Sequence, residues 1–233
     1  MAQVLDKQRE EVRRQRMSYE DYLNYGDDTT RSEWVDGEIL VYMPPRDEHQ
    51  TILEFLYTLL HLFADLKKLG RVRIAPFETK LWEGGPSREP DLLFMSEANL
   101  KNLSSKRFSG APDLAIEIIS PGSLYIDRND KFREYERAGV TEYWLIDSRP
   151  GHERADFYRL DGEQRYALFA TETDEKVASE VLEGFWLRPA WLWQTPSPSP
   201  LRVLAEVVGQ DAIVAALKSS ESADTEGVGN DEK

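Results

Sequence analysis

The sequence predicts a mixed α/β fold, a β-sheet core flanked by helices, and three observations carry that expectation. Short apolar runs that read as buried strands recur at residues 90–95, 113–119 and 142–147. Residues 48–69 set Ile52, Leu53, Leu56, Leu59, Leu60, Phe63 and Leu66 at three- and four-residue spacing, the period of one helical face. A second helix candidate, 127–139, lies between the last two strands. Strand, helix, strand in that order implies a right-handed crossover and a parallel pair.

The remaining elements follow in chain order. Residues 1–16 are charged and read equally as a frayed helix or a leader. Ser18 with Asp21 three positions on has capping-box character, so a short helix runs through Leu23. Asp36-Gly37 marks the turn of a hairpin over 32–43, ended by Pro44-Pro45. Gly70 fits as the stop of the long helix. A strand is expected over 71–82, then a turn at Gly84-Gly85-Pro86. Residues 96–112 read as a polar connection with a helical turn near Leu100. Asp127 or Asn129 would cap the second helix and Gly139 would end it. A hairpin over 155–170 turns at Asp161-Gly162, and 181–193 is strand-like and aromatic. Alternating Pro and Ser over 195–200 read as a linker, 201–217 as an amphipathic helix, and the rest as unstructured. The expected domains are a charged segment 1–17, a core domain 18–195, and a tail 196–233.

Composition narrows the function classes. The 233 residues, 40% hydrophobic and 31% charged, suit one sizeable core. No apolar run approaches ~18 residues, so no membrane span is expected, and the cytoplasm is the expected location. The absence of cysteine excludes disulfides, thiolate zinc sites and a cysteine nucleophile. Three histidines, His49, His61 and His152, argue against a histidine-rich metal site. The net charge of -14 weighs against a broad basic footprint for nucleic acid. Part of that excess lies in 219–233, whereas 101–137 carries seven basic and six acidic residues.

Two carboxylates stand out. Asp91 follows Pro90 and opens an apolar run, and Glu117 lies inside another. A charge within an apolar strand costs free energy unless something compensates it. Two carboxylates at the ends of neighbouring strands could share one hard cation; magnesium suits such a pair because it keeps waters and takes phosphate oxygens. Lys131, in the first turn of the next helix, could return to the same pocket, where the helix N-terminus offers amide donors to a phosphate. Ile119 sits where a lysine sharing Glu117's face would stand. These are the parts of a metal-dependent phosphodiesterase. Plainer readings compete: Asp91 as a turn cap, Glu117 in an ion pair with Lys131 or Arg133, Lys131 as a solvated helix residue. Asp113 is a second Pro-Asp, but four residues from Glu117 along a strand is about 13 Å, too far to share an ion, so it reads as a strand-start residue. His49 opens the long helix and fits a general base or a phosphate contact, though a capping or solvent-facing histidine is the plainer reading. Tyr143, Trp144, Trp186, Trp191 and Trp193 fit core or a subunit interface better than base stacking.

The ordered set Glu33-Trp34-Val35-Asp36-Gly37-Glu38, Glu48-His49-Gln50, Glu89-Pro90-Asp91-Leu92-Leu93-Phe94, Ala111-Pro112-Asp113-Leu114, Glu117-Ile118-Ile119-Ser120-Pro121, Asp127, Lys131, Tyr135 and Gly139-Val140-Thr141-Glu142-Tyr143-Trp144-Leu145-Ile146-Asp147 resembles the Uma two family. That family lies within the PD-(D/E)xK restriction-endonuclease-like superfamily. The resemblance spans about 18–193. It implies a restriction-endonuclease-like mixed β-sheet core and cleavage of DNA with Mg2+, or Mn2+ in its place. It also implies Asp91 and Glu117 as metal ligands, the backbone carbonyl of Ile118 beside them, and Lys131 as the displaced motif lysine. Glu38, where the family pattern places an acidic residue, would add a carboxylate or serve only the surface. Two other classes remain open. One is a catalytically silent relative that binds nucleic acid or protein; the other is a sugar hydrolase using Asp91 and Glu117 as acid and base. A homodimer would suit double-strand cleavage.

Overall fold

The computed structural model describes residues 12–25 and 30–226, with side chains as far as Lys218. Residues 1–11 of the charged N-terminal segment and 227–233 of the acidic tail lie outside the described residues. Strand β1 (Val12–Arg16) and the one-turn helix α1 (Tyr19–Tyr22) lead into the hairpin β2 (Ser32–Val35) and β3 (Glu38–Tyr42). The long helix α2 (Asp47–Lys67) follows, then β4 (Gly70–Ile74), β5 (Glu78–Lys80), β6 (Ser87–Arg88) and β7 (Leu92–Ser96). After a 3-10 turn (Glu97–Asn102) come β8 (Arg107–Ser109) and β9 (Leu114–Ile119). A π-helical turn (Ile126–Lys131) runs directly into α3 (Phe132–Ala138), followed by β10 (Glu142–Asp147), β11 (Arg154–Leu160) and β12 (Tyr166–Thr171). The chain continues through β13 (Val177–Ala178), β14 (Trp186–Leu187), a 3-10 turn (Pro189–Trp193), α4 (Pro200–Val208) and α5 (Gln210–Glu226).

Two mixed sheets form the frame. The central one has the order β12-β11-β10-β9-β7-β4; the other has the order β1-β3-β2-β6-β5-β8. In the central sheet β9 and β10 run parallel, joined by α3, and the remaining pairs are antiparallel. Alternation along β9 decides which residues meet which helix. Leu114, Ile116 and Ile118 pack with Leu56, Leu59, Leu60 and Phe63 of α2. Ala115 and Ile119 face the other way, with Tyr135 of α3 and Tyr143 and Leu145 of β10. Glu117 has the parity of that second face, so its carboxylate points toward α3. No helix among the described residues is long and apolar enough to cross a membrane.

The expected mixed α/β class holds, and several elements differ in detail. Val12–Arg16 is neither helix nor leader but an edge strand paired along its length with β3, Val12 opposite Tyr42 and Arg16 opposite Glu38. Only Val12 of the five is buried, and an edge strand tolerates such a charged run. The strand expected over 71–82 is divided between the two sheets as β4 and β5. The connection 96–112 contains β8, which pairs parallel to β5. The aromatic stretch 181–193 has two residues in strand and five in a 3-10 turn. Gly209 divides the C-terminal helix into α4 and α5, and Val203 and Leu204 of α4 join the core beside α2. The Pro/Ser stretch therefore leads to a docked helix, and helix continues to Glu226 where an unstructured tail was expected.

Gly70 is not the helix stop either. Lys68 takes the left-handed conformation at the end of α2, its amide bonded to Ala64 and Asp65 carbonyls. Gly70 instead opens β4 with φ +146°, and a Cβ there would stand 2.0 Å from the Met95 carbonyl oxygen on β7. Backbone approach, not chain reversal, requires the glycine. Gly70→Ala is expected to destabilise the fold by about 2 kcal/mol or more, lowering the melting temperature by roughly 5 °C, as read by thermal unfolding followed by circular dichroism.

Candidate active site

Asp91 precedes β7, whose first residue, Leu92, lies opposite Ile116 of β9. Beyond that pair β7 no longer covers β9, and the Asp91 side chain takes over: the Ile118 amide donates to Asp91 Oδ2 at 2.7 Å. One residue earlier, Glu117 is buried with its carboxylate on the α3 side. The π-helical turn then brings Asp127 and Lys131 onto that carboxylate together. Lys131 Nζ lies 2.8 Å from Glu117 Oε1, 2.9 Å from Glu33 Oε1 and 3.3 Å from Asp127 Oδ1. Tyr135 in α3 donates its hydroxyl to Glu117 Oε1 at 2.8 Å.

The hairpin supplies the opposite wall. Glu33 is fully buried on β2 and also accepts from Arg88 at 2.8 Å and from the Tyr42 hydroxyl at 2.5 Å. Arg88 in turn grips Glu134 with two bonds of 2.6 and 2.7 Å. Arg31, just before β2, spans the two strand-end carboxylates. Its guanidinium lies 2.7 Å from Asp91 Oδ1 and 3.7 Å from Glu117 Oε2. His49, in the first turn of α2, sets Nε2 at 3.3 Å from the same Asp91 oxygen. Arg31, Tyr42, His49, Ile118, Ser120 and Ser123 line an adjoining cavity of about 220 Å3.

Electrostatics separate these acids. Burial pushes the Glu117 carboxyl up to about 8 against the pull of Lys131, with Asp127, Asp91 and Glu33 adding to the rise. Burial also raises Asp127 and takes Glu89 to about 8. For Asp91, burial is outweighed by Arg31, then His49 and the Ile118 amide, and the carboxyl is held below its usual range. For Glu33, Lys131 and Arg88 overcome burial and hold the carboxyl at about 2. Lys131 also loses solvation, but Glu117, Glu33 and Asp127 keep it protonated well above its ordinary range. Among the described residues, five buried carboxylates of this cluster (Glu33, Glu89, Asp91, Glu117, Asp127) face three buried or half-buried permanent cations, Arg31, Arg88 and Lys131. Arg88 also serves Glu134, so the acids of this largely buried cluster outnumber its fixed cations.

The model of the family described as "Putative restriction endonuclease", Uma2, matches residues 19–190. The chain belongs to the Uma2 family. A solved structure described as "a putative nuclease belonging to DUF820 from Anabaena variabilis ATCC 29413" superposes with a TM-score of 0.61. It shares 18% identity and the match covers 75% of this chain and 96% of that one, a likeness of fold. No curated protein matches the chain.

The buried cluster brings together Asp91, Glu117, Ile118, Lys131 and His49 of the residues singled out in the sequence. It does not bring in Glu38 or Asp113. Glu38 opens β3 opposite Val35, four residues and about 13 Å along the strand from Tyr42, and its side chain sits 3.9 Å from Arg14. The carboxylate that this hairpin contributes is Glu33. Asp113 accepts from the Ser96 amide at 2.7 Å and from Asn99, tying the start of β9 to the neighbouring 3-10 turn. Sequence reasoning missed Glu33, Arg31 and Asp127 as site residues. Glu33 had a usable signal, an acid within the apolar arm Trp34-Val35, of the same kind that exposed Glu117. Arg31 had none, because its role depends on where the hairpin docks.

Two tests follow from this charge arrangement. Lys131→Met keeps the side-chain length but strands three carboxylates, so stability is expected to fall by about 3–5 kcal/mol in urea denaturation. The raised Glu117 pKa gives a signed pH dependence. Stability from retaining its proton is complete below the unfolded value, near 4, and is lost as pH rises through about 8. With chelator present, the wild-type melting temperature is expected to drop between pH 6 and 9. Glu117→Gln should drop less and exceed wild type at pH 9; Glu89 accounts for part of the fall that remains.

Proposed function

We propose that this protein is a divalent-metal-dependent endonuclease that hydrolyses phosphodiester bonds of DNA. The observation that carries the reading is the Asp91–Glu117 pair, drawn from adjacent strands, with a cation already bridging it and Lys131 on its far side. Membership of the Uma2 family supports the nuclease class.

The donor set fits a hard cation. Asp91 and Glu117 offer carboxylate oxygens, and buried Asp91 Oδ1 is turned toward positive charge, with Arg31 and His49 in front of it. Ile118 presents its amide toward Asp91, and a strand residue's carbonyl shares the side of its amide, so that carbonyl faces the same space. Among the described residues no three His, Cys, Asp or Glu side chains converge as a ready metal cage. Two carboxylates completed by a backbone oxygen and waters is the pattern magnesium accepts; manganese takes the same oxygens.

Such an ion supplies polarisation of the phosphate and a lower pKa for bound water. The chain's own residues do the rest. Asp91 stays ionised beside Arg31 and His49 and needs no proton released to act as a ligand. Glu117, near neutrality when the ion is absent, gives up its proton as positive charge arrives. Lys131 stays an ammonium and is no general base; it fixes the Glu117 carboxylate from behind. Overall, water adds to phosphorus, one P–O ester bond breaks, and the departing oxygen takes a proton from the attacking water.

Purified protein is expected to nick supercoiled plasmid with magnesium or manganese and not with chelator. Asp91→Asn and Glu117→Gln should each lower the rate at least 100-fold, the scale of losing a positioned catalytic group. Nicking that persists in chelator or in Glu117→Gln would defeat the assignment. No nicking by wild type, with stable binding of a macromolecule instead, would favour a silent interaction module.

A further inference from the structure

Arg31 occupies the space that the proposed function requires for a cation. Its guanidinium meets Asp91 on one side and Glu117 on the other, and a third contact goes to the Glu89 carbonyl at 3.3 Å. A guanidinium and a divalent ion cannot both occupy the gap between these carboxylates. The arginine is also poorly anchored for a group so central. The Glu117 contact is long at 3.7 Å, Arg31 Nε is buried without a hydrogen-bond partner, and the side chain keeps 21% of its exposure. Buried permanent charges ordinarily have their donors satisfied, so this one is held by charge more than by fitted geometry. Its backbone, by contrast, is fixed, because the Arg31 carbonyl accepts from the Tyr42 amide at 3.2 Å. Relocation therefore needs only side-chain rotation.

The place it would rotate into is defined. Arg31 lines the 220 Å3 cavity with Tyr42, Arg46, His49, Ser120 and Ser123. The Tyr42 ring, 5.2 Å from the guanidinium carbon, provides a surface along which the planar group can turn. The cavity also meets the start of α2, whose N-cap position, Arg46, provides no side-chain cap. His49 Nδ1 is buried there without a partner. Amides at a helix start that lacks a side-chain cap, together with two arginines, constitute a seat for an anion, and the unpartnered His49 Nδ1 lies beside it.

We propose that Arg31 is an exchangeable cation: it holds the Asp91–Glu117 gap in the metal-free protein, is displaced by a divalent ion, and in the displaced position binds a phosphodiester oxygen of the substrate in the adjoining cavity. Metal occupancy then creates the substrate's phosphate seat, so the two bind with positive coupling. Arg31 is a substrate-binding residue in one state and a competitor of the metal in the other. The inference rests on the metal-site reading given under the proposed function.

The test is an opposed pair of affinities in the full chain. Mn2+ alone is titrated into wild type, Arg31→Ala, Arg31→Lys and Glu117→Gln by calorimetry. Dimethyl phosphate, a minimal phosphodiester, is then followed by phosphorus NMR with magnesium or chelator. Arg31→Ala is expected to bind Mn2+ about tenfold more tightly than wild type, because a competing charge is gone. The same variant should lose the gain in dimethyl phosphate binding that magnesium gives wild type. Arg31→Lys, which keeps the charge without the planar fork, should show the same split at smaller size, and it decides the matter if Arg31→Ala does not fold. Unchanged or weaker Mn2+ binding in Arg31→Ala, or a retained magnesium-dependent phosphate gain, overturns the exchange. If Mn2+ binds wild type and not Glu117→Gln, that failure leaves the metal site standing; if Mn2+ binds no variant, both fall.

Discussion

Lys131 has no exposed side-chain surface and three carboxylates within 3.3 Å, each from a different part of the fold. Glu33 comes from the hairpin sheet, Glu117 from the central sheet, and Asp127 from the same π-helical turn as the lysine. Desolvating an ammonium is so costly that it persists only where opposite charge surrounds it. That requirement works in reverse as well. Without Lys131 the three acids would be left together without their shared cation, and the hairpin would lose one of its attachments to the central sheet. Arg88 extends the linkage by joining Glu33 to Glu134 of α3. The site's geometry and the docking of the two sheets are thus one structural problem with one solution.

The same cluster explains why the acids differ. Asp91 and Glu117 lie on neighbouring strands, yet one is held ionised and the other is pushed toward neutrality. The difference arises from the number of competitors for each cation. Asp91 has Arg31 at 2.7 Å and a donated amide, whereas Glu117 shares Lys131 with two other carboxylates. A pocket whose acids outnumber its fixed cations stays poised to take up further positive charge, as a proton at low pH or as a metal ion when one is present.

Legibility in the sequence followed the range of the interaction. Buried strands, the long helix and the hairpin turns are local patterns, and they emerged at 90–95, 113–119, 142–147 and Asp36-Gly37. Asp91 and Glu117 were visible because each is a charge interrupting an apolar run. Lys131 was reachable because strand and helix are adjacent in the chain. What stayed hidden depends on pairing between distant segments. β1 reads as a charged stretch because its ladder partner, not its side chains, makes it a strand. Gly70 was assigned to a helix stop because its reason, the Met95 carbonyl, is 25 residues away. The sequence points to Glu38 and not to Glu33 because hairpin register and docking, which decide the acid that joins the cluster, are not written in the four residues between them.

A net charge of -14 sits awkwardly with a DNA substrate if affinity must come from a basic surface. On the proposed reading it need not. An acidic chain repels a polyanion at long range, so loose binding along DNA is weak, and what remains is contact at the site itself. There the metal ion, Arg31 and the uncapped start of α2 would face one or two phosphates. Affinity then arises from a few desolvated contacts instead of counterion release over many phosphates, and it depends on metal. On that reading the acidic chain and the acid-rich site would serve the same end: the protein would have little hold on DNA until a divalent ion offsets the site's negative charge.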